Sequence, residues 1–439
     1  MQTQRWSGFF IAFVVLLSLS LACGDDDDSS DDDDSTDDDT SSGDDTSDDD
    51  VVDDDGVDDD TSPDDDTSPD DDTTPDDDTI DDDTDDDDDD DDDDTGPTEL
   101  MIIGKDSDGV PFSLRQTEDD WVQEYIGSGK KSNPGPLGSS FFYKGRRGWA
   151  ALNYCGASTF GYDLYVYDPE MGWMPDTTHQ EPADDLNAFS LFAPSYDSFW
   201  LTAVNYGHVY LNFSIWSYEN GAPVQYAPET NGYMYMDFTT ADNGYFVGAK
   251  WFLYGFAGHW DGSEISSVPM PTGYEDGLFW ALKLLGDHTG VFMWAANDGS
   301  STELFTLRDD SWSIVPTPVG CTVPGKPNNV LAGDGDLDYF IMPTVYGPQP
   351  TTLWEYRDSR WRCREMDGKV FIASVLVLRN GRVFMMGYKE GLDLKLYEVF
   401  ANRIDEIALP EIDMAPLCLH AIGPEAPRYS PCNVITEPF

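Results

Sequence analysis

The sequence predicts an all-β domain of repeated units behind a long acidic leader, on three observations. The first is charge: 88 Asp and Glu against 23 Lys and Arg give a formal −65 over 439 residues, and the imbalance is local. Asp25–Asp94 holds 44 Asp in 70 residues with no Lys or Arg, and the remainder is +1 from Arg5 and −22 over Gly96–Phe439. The second is composition: those last 344 residues contain 54 Trp, Tyr and Phe, punctuated by Gly and short polar turns, with no sustained period of 3.6. The third is repetition: a short apolar strand recurs seven times, at intervals of 48, 51, 46, 46, 48 and 44 residues.

Residues 1–22 predict an export signal. Arg5 precedes an apolar run from Phe9 to Leu21 whose 13 residues are too few to span a bilayer, which takes about 20. The stretch Ser20-Leu21-Ala22-Cys23 resembles the lipobox of bacterial lipoproteins. That resemblance implies cleavage before Cys23, lipidation of its thiol, and a membrane partner reached through the lipid, in the outer membrane or on the cell surface of a bacterium. Residues 23–95 are then a disordered stalk, because a segment almost without apolar side chains cannot offset a chain entropy cost of roughly 1–2 kcal/mol per residue. Self-repulsion and the Thr-Ser-Pro or Thr-Thr-Pro steps at 61–63, 67–69 and 73–75 keep it extended. Its carboxylates are hard oxygen ligands, yet they lack the ordered loop of a specific calcium site, so only weak, non-specific calcium association is expected, and no cofactor.

Residues 96–439 form the folded domain. The recurring strand begins at Met101 and is marked afterwards by Trp149, Trp200, Phe246, Phe292, Phe340 and Phe384. A second column runs in phase with it, an apolar strand, a polar turn, then Trp, Ile or Val, as in Leu304–Leu307 with Trp312 and Leu353–Tyr356 with Trp361. A leading strand is visible at Phe279–Leu282 and Phe371–Val375. Four strands per ~47 residues describe a propeller blade, so the domain is expected to be a seven-bladed β-propeller, with a six-bladed ring as the alternative. The first unit lacks its leading strand, and Leu417–Ile422 stands in the right phase to supply it, so the C-terminus is expected to close the ring. The unit around Tyr167-Asp168-Pro169 with Trp173 is similar to a kelch repeat. The chain contains no Gly-Gly pair, so the likeness covers one unit and transfers no functional residue.

Five cysteines follow Cys23. Cys418 with Cys432, and Cys321 with Cys363, are the expected disulfides of an exported chain, which leaves Cys155 as a buried filler. His179, His208, His259, His288 and His420 do not recur at one phase of the repeat and form no ring of metal ligands; each reads as a loop or core histidine. Nucleophile and phosphate-loop motifs are absent. A converging pair of acids remains open, and Asp237, on a leading strand expected to line the channel, is the first to inspect, with exposure to channel water as its ordinary role. Trp216, Trp251 and Trp354 could stack on sugars, but they sit in the repeating columns where packing explains them; Tyr346, in the Val345–Pro348 loop, is the better binding candidate. An acidic domain excludes nucleic-acid binding through overall charge. The expected function is a binding or scaffolding module for a glycan or protein partner, rather than an enzyme. The alternatives are a polysaccharide hydrolase or lyase and a structural surface-coat protein.

Overall fold

The computed structural model describes residues 97–118, 120–127, 137–155, 160–179, 186–195, 198–205, 212–219, 222–227, 232–250, 254–286, 289–296, 301–309, 311–316, 332–334, 339–344, 350–357, 360–366, 370–389, 393–412 and 414–433. Cys23 and the Asp-rich segment lie outside these residues.

All regular structure among the described residues is antiparallel strand. The chain begins with β1 (Glu99–Lys105), β2 (Pro111–Gln116) and β3 (Trp121–Tyr125). A second group is β4 (Leu137–Tyr143), β5 (Arg147–Cys155), β6 (Phe160–Asp168) and β7 (Gly172–Pro175). The third is β8 (Leu186–Phe192), β9 (Ser198–Asn205), β10 (Asn212–Glu219) and β11 (Ala222–Ala227). The fourth is β12 (Gly232–Thr240), β13 (Asn243–Lys250), β14 (Tyr254–Trp260) and β15 (Ile265–Val268). The fifth is β16 (Gly277–Gly286), β17 (Thr289–Ala296), β18 (Thr302–Arg308) and β19 (Ser311–Ile314). The sixth is β20 (Ala332–Asp334), β21 (Tyr339–Thr344), β22 (Thr352–Arg357) and β23 (Arg360–Glu365). The seventh is β24 (Val370–Val377), β25 (Val383–Lys389), β26 (Asp393–Val399) and β27 (Ile404–Ile407). Two strands remain, β28 (Ala415–Ile422) and β29 (Tyr429–Asn433).

These strands make seven sheets, five of them four-strand meanders in chain order. The recurring apolar strands found in the sequence are the second strands of the sheets, β1, β5, β9, β13, β17, β21 and β25. The first sheet takes its leading strand from the far end of the chain: β28 pairs with β1, Met101 opposite His420 and Leu100 opposite Ala421. The leading strands touch in the cyclic order β28, β4, β8, β12, β16, β20, β24 and back to β28. That closed order makes the domain an all-β β-propeller.

The sheets pack through aromatic side chains. Phe141 of β4 meets Phe192 of β8 at 4.9 Å, and Phe192 stacks on Phe238 of β12 at 4.5 Å. Trp200 of β9 meets Trp260 of β14 edge-on at 4.9 Å. Each large apolar side chain buried in this way contributes about 1.5–3 kcal/mol. The alternation of a strand, two faces in turn, is what lets one strand feed both neighbouring interfaces.

The chain continues beyond the closing strand expected from sequence. After β28, β29 returns antiparallel to β4 on its inner edge, Tyr429 opposite Tyr143 and Cys432 opposite Ser140, so that sheet has five strands. Cys418 and Cys432 are disulfide-bonded across this return. Cys363 is disulfide-bonded as well, while Cys321 lies outside the described residues. Cys155 ends β5. In the three-residue connection from β4 to β5, Lys144 and Gly145 both take positive φ, 49° and 63°, and Arg146 N–H returns to Tyr143 O at 3.1 Å. This mirror-image turn matches the twist of the strands and favours Gly in its second place.

Candidate functional site

Two of the convergences of titratable groups in this domain lie at the leading strands. Each of these strands would present an unpaired row of N–H and C=O groups toward the centre, and buried backbone groups of that kind require partners. Side chains of the preceding sheet supply partners for β8, β16 and β28. Ser139 of β4 accepts Leu191 N–H of β8 at 3.0 Å, and Ser374 of β24 accepts Leu419 N–H of β28 at 3.1 Å. Asn153 of β5 spans both backbone groups of Ala188, donating to its oxygen at 3.0 Å and accepting its N–H at 2.8 Å. Asp237 of β12 has the same role toward β16, accepting Leu284 N–H at 2.7 Å. Register shifts at Leu137/Ser139, Ala188/Ser190 and Ile372/Ser374 place a serine immediately after a bulge in β4, β8 and β24.

Asp237 therefore differs from its sequence expectation. It is only 1% exposed, and besides Leu284 N–H it holds Lys283 Nζ at 3.1 Å, so its carboxylate fastens two sheets and does not face channel water. The bulge between Phe238 and Thr240 and a second between Tyr233 and Tyr235 flank it. No sequence pattern marks the half-buried Lys283 on the following unit as its partner.

A second convergence joins three elements. His420 of β28 is fully buried, with Ser140 Oγ of β4 2.7 Å from Nε2 and Ser430 Oγ of β29 2.9 Å from Nδ1, and Phe142 lies 4.7 Å from its ring. A serine hydroxyl at this distance from an imidazole is the arrangement of a nucleophile and its base. Here both side chains have zero exposure, so the pair acts as a clasp between the first sheet, the second sheet and the terminal strand. Neutral imidazole has one donor and one acceptor nitrogen, which two rotatable hydroxyls satisfy together. Burial pushes the imidazole down to about 3. Ser139 extends the clasp by donating to Cys432 O at 3.1 Å. Tyr429 lies 4.9 Å from the Phe192 ring and 5.9 Å from Tyr143, and burial pushes its phenol up to about 12.

A third group sits where the second and third sheets meet. Asp176, just past β7, accepts Thr178 N–H at 2.8 Å and bonds His179 Nδ1, whose ring meets Phe199 and Tyr218 edge-on at 4.5 and 5.7 Å. Burial works to raise this carboxyl, but hydrogen bonds from His179 and Thr178 outweigh it and hold it below the usual carboxylate range. Tyr162 and Tyr218 share a hydroxyl bond of 2.7 Å alongside. His259 bonds Asn243 at 2.8 Å and stacks on Tyr245. His208, His288, Tyr346 and Trp251 lie outside the described residues. Trp354 is buried, and Trp216 is half-buried with its indole N–H given to Ser214 at 2.7 Å, so both serve packing. Among the described residues no three His, Cys, Asp or Glu are placed to hold a metal.

Sequence reasoning missed the clasp and the terminal strand. Ser139, Ser190 and Ser374 recur at one phase of the leading strands, a column readable once those strands are aligned, whereas the pairing of Ser140 with His420 across 280 residues leaves no local mark.

No family model matches the chain, and no curated protein matches it. Solved structures do. A fucose-specific lectin from Aleuria aurantia is 11% identical, covering 71% of this chain and 90% of its own, with a TM-score of 0.40. A 6-phosphogluconolactonase candidate from Bacteroides uniformis is 10% identical, covering 74% and 99%, with a TM-score of 0.47. Its counterpart from Bacteroides fragilis is 10% identical, covering 74% and 98%, at 0.43. At identities and scores this low the likeness carries no argument, and the propeller assignment rests on the closed order of the chain's own sheets.

Two outcomes are expected. Asp237→Ala orphans the buried Leu284 N–H and leaves the half-buried Lys283 ammonium without its partner, and costs about 2–4 kcal/mol in urea unfolding of the oxidised chain; adding Lys283→Met recovers some of that, less the orphaned Leu284 N–H. A single-variant cost under about 1 kcal/mol would mean the pair behaves as a surface ion pair. For His420 the folded value lies below the unfolded one, about 6.5, so its contribution is complete above that pH and is lost as pH falls toward 3. Unfolding free energy of the native chain should fall more steeply than that of His420→Gln between about pH 6 and 4, the difference approaching ~1.4 kcal/mol per pH unit. Parallel curves would contradict the burial of this group.

Proposed function

We propose that the chain is an exported bacterial envelope lipoprotein. In this reading residues 1–22 are the signal, Cys23 carries the lipid, and 23–95 form a stalk that presents the domain at the outer membrane or cell surface. The domain is a seven-bladed propeller, a count supported by its seven sheets and their cyclic order. It acts as a binding or scaffolding module for a glycan or protein partner, through the turns at the ends of its sheets.

The observation that carries the binding reading is the use to which the acid and base groups at the leading strands are put. Asp237, His420, Ser139 and Ser140 are all buried and all committed to joining one sheet to the next. β29 covers the inner edge of β4 in addition. Groups committed in this way hold the ring together, and recognition falls to side chains on the turns, the usual place for function on a rigid β scaffold.

Thermal melts of the oxidised full chain against neutral and charged glycans and cell-wall fragments test this. A ligand that binds only the folded state at about 100 times its dissociation constant adds roughly 2.7 kcal/mol and raises the melting temperature. A shift with one ligand class, without turnover of that ligand, is the expected result. Turnover would establish the enzyme reading instead, and no shift with any ligand would count against small-ligand and glycan binding.

A further inference from the structure

The basic residues of this acidic domain are unevenly placed. Three turns at one end of the sheets are bonded into a strip: Lys144 N–H to Arg428 O at 2.8 Å, Gly423 N–H to Gly145 O at 3.1 Å, and Arg379 N–H to Glu425 O at 2.9 Å. They are the β4–β5 turn, the β28–β29 turn and the β24–β25 turn. Together they carry Lys144, Arg146, Arg147, Arg379, Arg382 and Arg428, six of the 23 basic residues of the chain. Arg379, Arg382 and Arg428 are exposed and the other three half-buried. Against them stand Glu425 within the strip, Glu398, which takes Arg382 Nε at 2.8 Å, and, on the β2–β3 and β6–β7 turns at the same end, Glu118, Asp120, Asp168 and Glu170.

Four of these cations lie over rings: Lys144 over Tyr143 at 5.5 Å, Arg147 over Trp149 at 5.6 Å, Arg382 over Phe384 at 4.9 Å and Arg428 over Tyr429 at 5.3 Å. A ring beneath a guanidinium limits its motion while leaving N–H groups to an outside acceptor, which lowers the ordering cost of binding. The β12–β13 and β14–β15 turns of the fourth sheet have the opposite character, with Asp242, Asp261 and Glu264 and no basic residue. The two sectors share one end of the sheets because each meander turns there between its first and second and between its third and fourth strands.

We propose that this strip binds an anionic polysaccharide, one bearing carboxylate or sulfate groups along its chain. The inference rests on the binding reading above and names its ligand class. Arginine forks meet such oxyanions with two parallel hydrogen bonds. The net −22 of the domain disfavours polyanions over its acidic turns, which favours contact at the strip. Duplex nucleic acid, with one charge per ~1.7 Å, would extend over the acidic sector and is disfavoured by it.

Binding of the oxidised full chain to polygalacturonate, dextran sulfate and neutral dextran at roughly 50 mM salt tests this. Both charged polymers should bind at least about tenfold more tightly than dextran, and Arg379→Glu with Arg428→Glu should weaken them by about tenfold or more. Glu264→Lys, in the opposite sector, should cause no loss. Melting temperatures report whether the variants fold; should the charge reversal unfold the chain, Arg379→Gln with Arg428→Gln takes its place, with a smaller loss expected. No binding to either charged polymer, equal binding to dextran, or affinity indifferent to both substitutions overturns the proposal. A neutral glycan that shifts the melt while these polymers fail leaves the binding reading standing and this inference refuted.

Discussion

The structure depends on satisfying the inner edges of its sheets, as shown at β4, β8, β16 and β28. A meander of four strands has two edges, and folding sheets around a centre places one edge of every sheet in the interior, where an unpaired N–H or C=O costs about 1–3 kcal/mol. The chain meets this with small polar side chains set beside bulges. Ser139, Asp237 and Ser374 each accept a backbone N–H from the next leading strand, and Asn153 serves both groups of Ala188.

Closure is the same requirement applied to the two ends of the chain. β28 supplies the strand that the first sheet lacks, and β29 covers the inner edge of β4. His420 touches both consequences at once, with Ser140 on one nitrogen and Ser430 on the other, and the disulfide between Cys418 and Cys432 ties the two terminal strands directly. The Asp237 carboxylate, the His420 imidazole and the Ser139 and Ser140 hydroxyls are thereby structural.

Much of this was legible in the sequence, and for a physical reason. Strand periodicity and the ~47-residue repeat are local properties, so the second strand of every sheet and the in-phase strand Leu417–Ile422 could be located from residue types alone. Contacts made across sheets are not local. Asp237 looked like a channel acid because its strand position was right, yet its partner Lys283 lies 46 residues on and nothing in either unit announces the pair. β29 escaped notice because Tyr429–Asn433 contains Pro431 and is short; its place on an edge is what tolerates that proline. The basic strip was visible as Lys144-Gly145-Arg146-Arg147 and Arg379-Asn380-Gly381-Arg382, but only the backbone bonds between the turns make it one surface.

Native-state amide hydrogen exchange at Leu191, Leu284 and Leu419 tests the account most directly. Each N–H points away from its own sheet and is held by a side chain of the preceding one. If those bonds fasten the ring, the three amides exchange as slowly as mid-sheet amides such as Phe246 and Phe292, through global opening. Exchange at rates typical of an open sheet edge would contradict it.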